Sequence, residues 1–351
     1  MNNKQSLYSL TLSQLQNVLV ENHFAKYAAD QIYHWIYKNF KLQADDWSNT
    51  SKKMRQWLGE TYDTNIPEVV TVIESVDGTR KFLFKLGDGE LVEAVTIPMP
   101  GRLTICVSSQ VGCAVGCKFC RTALMGFKRN LDSSEIIGQY LSATLWLREK
   151  VDQNMLITNI VYMGQGEPLL NLANVKTSVM VFLEDKGISI GQRRITLSTS
   201  GIASQIEKLI DFPSVNLAVS LHAADDVTRD LLMPINKKYN MERLLEAINR
   251  IPLKANRRIT YEYLLVDGVN DRMLDVENLT RILKRKLSKI NLIPFNSFPG
   301  CEFKTPSKEK VVWFQEQLLN RDFVCTIRSS KGEDILAACG QLKADHCLAN
   351  R

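Results

Sequence analysis

No apolar run in the chain approaches the length needed to cross a bilayer, so no membrane association is expected. The opening residues, MNNKQSLYSLTLSQ, lack both the basic n-region and the apolar h-region of a secretory signal, and a cytoplasmic protein is expected. Charged residues make up only 23% of the chain against 45% hydrophobic, which excludes a disordered chain without naming a function. Charge of one sign is not in large excess either. The net +6 is compatible with a polyanionic partner and does not require one. Candidate phosphate contacts are Lys52, Lys53, Arg55, Arg193, Arg194, Arg257, Arg258 and the cluster Arg281, Lys284, Arg285, Lys286, Lys289; each alone reads as a solvated face. Eight cysteines in a cytosolic chain point to metal or redox chemistry rather than to a disulfide framework.

What stands out is Cys113-Ala-Val-Gly-Cys117-Lys-Phe-Cys120. Three cysteines at this spacing can converge on one metal centre, with Gly116 allowing the backbone to fold tightly around it. The run supplies three ligands where a structural zinc or an ordinary four-cysteine cluster needs four. A 4Fe-4S cluster on three thiolates keeps one iron open for a substrate, and the spacing resembles the signature of radical S-adenosylmethionine (SAM) enzymes. Two other readings are a zinc site completed by Cys106 or a distant histidine, as in a non-catalytic zinc module that binds RNA, and buried free thiols.

Taken in order, residues 11–40 and 48–62 read as helices, with Leu12, Leu15 and Leu19 at helical spacing and Ser48 or Thr50 capping the second. No catalytic constellation lies in this block. Beyond Pro67 strands are expected over 82–86, 91–97 and 105–108, with a tight turn at Asp88-Gly89. Further strands are expected over 159–163, 195–198, 215–221, 259–266, 290–295 and 325–328, alternating with helices that begin near Ser133, Asn171, Ile202, Met241, Asp275 and Lys308. Such alternation predicts an α/β parallel sheet or partial barrel whose function gathers at the C-terminal strand ends. There lie the cysteine loop, Gly164-Gln-Gly166-Glu167-Pro168, Ser198-Thr-Ser200-Gly201, Ser220-Leu221-His222 and Asn296. Each alone reads as a turn or cap, but together they favour a ligand site, with Glu167 able to accept from an ammonium. From spacing alone Cys106 and Cys339 read as buried small residues, and Cys301 and Cys347 as incidental.

These residues together resemble the RlmN family of radical-SAM RNA adenine methyltransferases, whose close relative is Cfr. The resemblance runs from Ala29-Asp30-Gln31-Ile32 to Gln341-Leu342 and includes Cys106-Val-Ser-Ser-Gln-Val-Gly-Cys113, Gly126-Phe127, Arg129-Asn130-Leu131, Gly166-Glu167-Pro168-Leu169-Leu170-Asn171, Met233-Pro-Ile-Asn236 and Ala337-Ala-Cys-Gly-Gln341. It implies a partial (β/α)6 TIM-like radical-SAM barrel over residues 67–351 behind a small all-helical N-terminal domain over residues 1–66, which is expected to orient RNA because it lacks ligand residues and carries basic positions beside aromatic ones. It assigns Cys113, Cys117 and Cys120 to one 4Fe-4S cluster and Gly166, Glu167, Ser198, Ser220, Leu221, His222 and Asn296 to SAM. Cys339 becomes the methyl carrier, Cys106 the thiol that later forms a disulfide with it, and Glu93 the proton acceptor. The implied activity is methylation of carbon 2 of adenine, carbon 8 being the Cfr alternative. The implied partners are 23S rRNA and tRNA, with an electron donor such as flavodoxin or ferredoxin serving a monomeric enzyme. The chain departs from the usual family residue at Leu336, Gln165 and Arg121, positions that could tune the RNA or SAM pocket.

Overall fold

The computed structural model describes residues 4–298 and 300–343; Cys347 and the rest of the tail lie outside the described residues. The N-terminal block contains α1 (Leu12–Glu21), α2 (Ala28–Tyr33), which continues as a π-helical turn to Lys38, and α3 (Lys52–Thr61). Thr11 and Gln14 cap α1 reciprocally, the Thr11 N–H donating to Gln14 Oε1 at 2.9 Å. The expected helix over 11–40 is interrupted at its middle, where the Asn22 side chain donates to the Val18 carbonyl and His23 takes φ 63°. Ser51 caps α3 by accepting from the Met54 N–H at 3.2 Å, in place of the expected Ser48 or Thr50.

A ten-stranded sheet follows. Strands β1 (Glu68–Glu74), β2 (Arg80–Lys85) and β3 (Leu91–Met99) are antiparallel and run into β4 (Arg102–Cys106). The sequence pattern missed β1, since a short apolar run carries no decisive period. A separate ribbon of β5 (Gln110–Gly112) and β6 (Phe127–Asn130) brackets the cysteine loop. From β4 the main sheet continues in parallel through β7 (Asn159–Tyr162), β8 (Ile195–Thr199), β9 (Asn216–Ser220), β10 (Ile259–Leu265), β11 (Ser288–Pro294) and β12 (Val324–Ile327). Between successive parallel strands lie α4 (Ser133–Lys150), α5 (Leu172–Leu183), α6 (Ala203–Ile206), α7 (Asp226–Leu232) with α8 (Met241–Asn249), α9 (Met273–Ile282) and α10 (Lys308–Leu319). This is the expected set of six strand-helix units, closed by one further strand.

Along the parallel strands the side chains alternate. Ile105, Ile160, Ile195, Leu197, Val219, Tyr261, Ile290 and Leu292 join the buried apolar core. Their neighbours Thr104, Asn159, Thr196, Asn216, Thr260, Glu262, Asn291 and Thr326 line a central cleft of about 1940 Å³. A parallel sheet covered on both faces normally carries apolar residues on both. The polar inner face here suits a polar guest.

Candidate active site

The ribbon β5–β6 holds the cysteine loop by its neck. The Cys113 N–H donates to the Gly126 carbonyl at 2.9 Å, and that carbonyl occupies the place a side chain at Gly112 would take. The Lys118 N–H donates to the Leu232 carbonyl at the end of α7, while the Arg121 N–H and Thr122 Oγ1 donate to the Gly340 and Leu342 carbonyls at 2.7 Å each. Cys113, Cys117 and Cys120 thereby line one cleft of about 910 Å³. Burial pushes all three thiols up, Cys113 to about 12, and Cys117 well above its ordinary value, with the facing Cys120 and Cys113 adding to the effect of burial there. A cationic iron-sulfur group would reverse that balance by favouring thiolates. Among the described residues no three His, Cys, Asp or Glu side chains are grouped to hold a single ion. Three soft sulfur donors spread around one cleft fit a larger iron-sulfide cluster.

The opposite wall is made by the C-terminal strand ends. Gly166 takes φ 98°, and a Cβ there would meet the Gln110 side chain at 2.5 Å, so only glycine lets the turn after β7 close on β5. Glu167, buried, has both carboxylate oxygens engaged: Oε1 accepts from Leu169 N–H at 3.0 Å and Oε2 from Ser200 N–H at 2.7 Å. Ser198, Ser220 and His222 line the same cleft, as does Ser200, whose buried hydroxyl has no protein partner. That orphan is a ready contact for a polar cofactor. Burial drives the His222 imidazole down to about 3, so it stays neutral, with Nδ1 accepting from the Leu264 N–H at 3.0 Å. Its ring meets Phe119 edge-on at 4.9 Å. Leu221 is fully buried, its N–H donating to the Glu262 carbonyl, and lines neither cleft. Asn296 lines the central cleft instead, its Oδ1 accepting from Ser330 Oγ at 2.6 Å.

After β12 the chain returns across the sheet as a strap over residues 329–343. Asp334 accepts from Ser75 Oγ at 2.6 Å, the Gln341 amide donates to the Ser297 carbonyl at 3.1 Å, and the Lys343 N–H donates to Glu93 Oε2 at 2.7 Å. The strap sets Cys339 between the two clefts, lining both, and Cys106 at the end of β4 lines the central one. Both are free thiols. Burial pushes Cys106 up to about 12, the nearby Cys339 adds to this, and the Arg328 guanidinium opposes it. Glu93 lies beneath the strap at 1% exposure; burial raises its carboxyl above the ordinary range against the pull of Lys81.

Several residues of the site carry no local signal. Arg229 on α7 reads as a surface charge but is fully buried, donating to the Leu221, Ser200 and Ser220 carbonyls and to Asn236 Oδ1. It binds two strand ends into one rim. Arg328 and Glu262 line both clefts, and Lys81 sits 3.5 Å from Glu93. Of the departures, Gln165 accepts from the Glu93 N–H at 3.3 Å, and Arg121 donates to the Gln341 carbonyl at 3.3 Å. Leu336 stands at φ 52° and offers its carbonyl to Lys81.

Residues 107–279 match the radical SAM superfamily, and residues 5–63 match the ribosomal RNA large subunit methyltransferase N-terminal domain. A dual-specificity RNA methyltransferase RlmN from Syntrophus aciditrophicus is 43% identical over 340 residues, covering 97% of each chain. The one from Desulfosudis oleivorans is 45% identical, covering 97% of this chain and 91% of that relative. The crystal structure of a radical SAM methyltransferase from Sphaerobacter thermophilus superposes with a TM-score of 0.90 at 41% identity, over 97% of this chain and all (100%) of that one. The radical SAM family implies SAM and a 4Fe-4S cluster as cofactors. No helix among the described residues is long and apolar enough to cross a membrane. The chain belongs to the RlmN family of radical-SAM RNA methyltransferases.

Proposed function

We propose that the enzyme methylates carbon 2 of adenine in RNA, with 23S rRNA and tRNA as substrates, and that Cys339 carries the methyl group on the way. The position of Cys339 carries this reading, since it lines both the cleft of the three thiols and the polar central cleft that Cys106 also lines. A thiol at such a junction can be loaded from one side and deliver to the other. The relatives' name, dual-specificity RNA methyltransferase, supports two kinds of RNA.

Cys113, Cys117 and Cys120 would hold the cluster, and Gly166, Glu167, Ser198, Ser220 and His222 would line the seat of SAM, with Leu221 and Asn296 supporting it. Bound there, cluster and SAM supply the one-electron cleavage of a sulfonium carbon-sulfur bond that a non-nucleophilic ring carbon requires. Cys339 first accepts a methyl group as a thiolate nucleophile and later links sulfur to the adenine through that carbon. Glu93 takes the ring proton. The Cys106 thiolate, favoured by Arg328, attacks the Cys339 sulfur, forming a disulfide and breaking the bond from sulfur to the methyl-derived carbon, which leaves with the bonding pair delocalised into the ring and takes up a proton to complete the methyl group. Residues 1–66 would orient the RNA, with Lys52, Lys53 and Arg55 beside Trp57.

Two variants test the cycle on a denaturing gel. Cys339→Ala should bind SAM and RNA yet form no adduct, whereas Cys106→Ala should accumulate an RNA–protein adduct that nuclease removes. Normal turnover by Cys106→Ala without bound RNA would overturn the methyl-carrier cycle. In mass spectra of RNA from a deletion strain, 2-methyladenosine should be lost; loss of 8-methyladenosine in its place would redirect the target carbon.

A further inference from the structure

We propose that Lys81 is a positioning residue for proton removal, holding the Glu93 carboxylate in place and tying it to the strap that carries Cys339. The proposal rests on the assignment of Glu93 as proton acceptor. In the register of β2 on β3, Lys81 pairs with Val95 and Leu83 with Glu93, so Lys81 and Glu93 are diagonal neighbours on one face. The strap covers that face, and Lys81 is left 7% exposed. Its Nζ lies 3.5 Å from Glu93 Oε1 and donates to the Leu336 carbonyl at 3.4 Å, three residues before the methyl carrier. One ammonium therefore touches both the base and the segment that bears the methyl carrier.

The chemistry explains why a cation belongs there. A carboxyl buried this deeply favours its neutral acid form, which cannot accept a proton. Lys81 is the first of the influences that oppose burial at Glu93, followed by the Lys343 N–H and Arg121. The charged side chains facing Glu93 are thus Lys81 from β2 and Arg121 from the turn after Cys120, with the Gln165 amide accepting from the Glu93 backbone. During the step the ring proton passes to a Glu93 oxygen, the C–H electron pair stays in the ring, and Lys81 keeps its own proton. A buried ion pair is weak evidence of a purely stabilising role, since apolar replacements of such pairs are often neutral or better.

The test compares Lys81→Met, Lys81→Arg and Glu93→Gln in the otherwise intact, cluster-loaded enzyme, following the nuclease-sensitive adduct on denaturing gels with time and pH. Losing a cation this close raises a carboxyl by about 1 unit or more, so Lys81→Met should slow adduct release by about tenfold at the acid end of the pH profile, where release follows the deprotonated fraction. Its rate should recover as pH rises, and Lys81→Arg should restore most of it. Melting temperatures of the three variants report folding separately. Should Glu93→Gln accumulate adduct while folded Lys81→Met releases it at the wild-type rate, the role of Lys81 is refuted and that of Glu93 survives. Should Glu93→Gln itself release RNA normally, the assignment of the base fails first. If Lys81→Met does not fold, Lys81→Gln takes its place: adduct that persists at low pH and is released as pH rises supports the proposal, and release at the wild-type rate overturns it.

Discussion

Gly112→Ala should disable the cysteine loop while leaving the barrel folded. Gly112 stands at φ 74°, where an alanine is strained by about 1 kcal/mol. Its methyl would overlap the Gly126 carbonyl oxygen and lie 2.9 Å from the carbonyl carbon, both backbone atoms that cannot rotate away. The ribbon must open, and the Cys113 N–H loses its 2.9 Å bond to that carbonyl, worth about 1 kcal/mol. Together these cost roughly 2–3 kcal/mol locally, which lowers the ratio of closed to open loop about 30- to 150-fold. Gly116→Ala is the matched control, with φ 76° and nothing within 4 Å of its added carbon. Iron and sulfide per chain after anaerobic reconstitution provide the assay. Gly112→Ala should retain little of either and Gly116→Ala most of both, with circular dichroism unchanged in both. Full iron in Gly112→Ala would refute the claim that the β5–β6 ribbon sets the loop.

Two further outcomes follow from the same geometry. Burial, with Arg229 nearby, holds folded His222 at about 3 while the unfolded chain takes a proton near 6.5, so its share of stability is whole above the upper value and is lost as pH falls towards the lower. His222→Gln should therefore flatten the decline in urea midpoint between about pH 7 and pH 5, and an unchanged slope would show that another group sets it. Removing residues 1–66 breaks a core in which Arg148 of α4 stacks 4.9 Å over Phe40 and Gly187 abuts Tyr33. The truncated protein should melt at lower temperature and bind RNA weakly yet reconstitute its iron; loss of iron from a folded truncation would show that the block supports the cluster.

Local periodicity made much of this legible in advance. The cysteine spacing, the Asp88-Gly89 turn and the alternation of strands with helices are short-range patterns, and each stands where it was expected. Short-range competition also explains the misses. Helix 11–40 breaks because the Asn22 side chain captures a backbone carbonyl, and β1 hides in a run whose period is ambiguous. By itself the sequence determined which residues could carry the chemistry and, by resemblance, which family they belong to. Only the tertiary structure decided how they meet: that Cys339 stands between two clefts, that Arg229 is buried as the tie between strand ends, that Asn296 faces the central cleft, and that Lys81 reaches Glu93. These juxtapositions depend on sheet order and on a strap returning from the far edge, contacts between residues distant in sequence. No periodicity encodes them, because they are selected by the burial and pairing of polar groups once the sheet has closed.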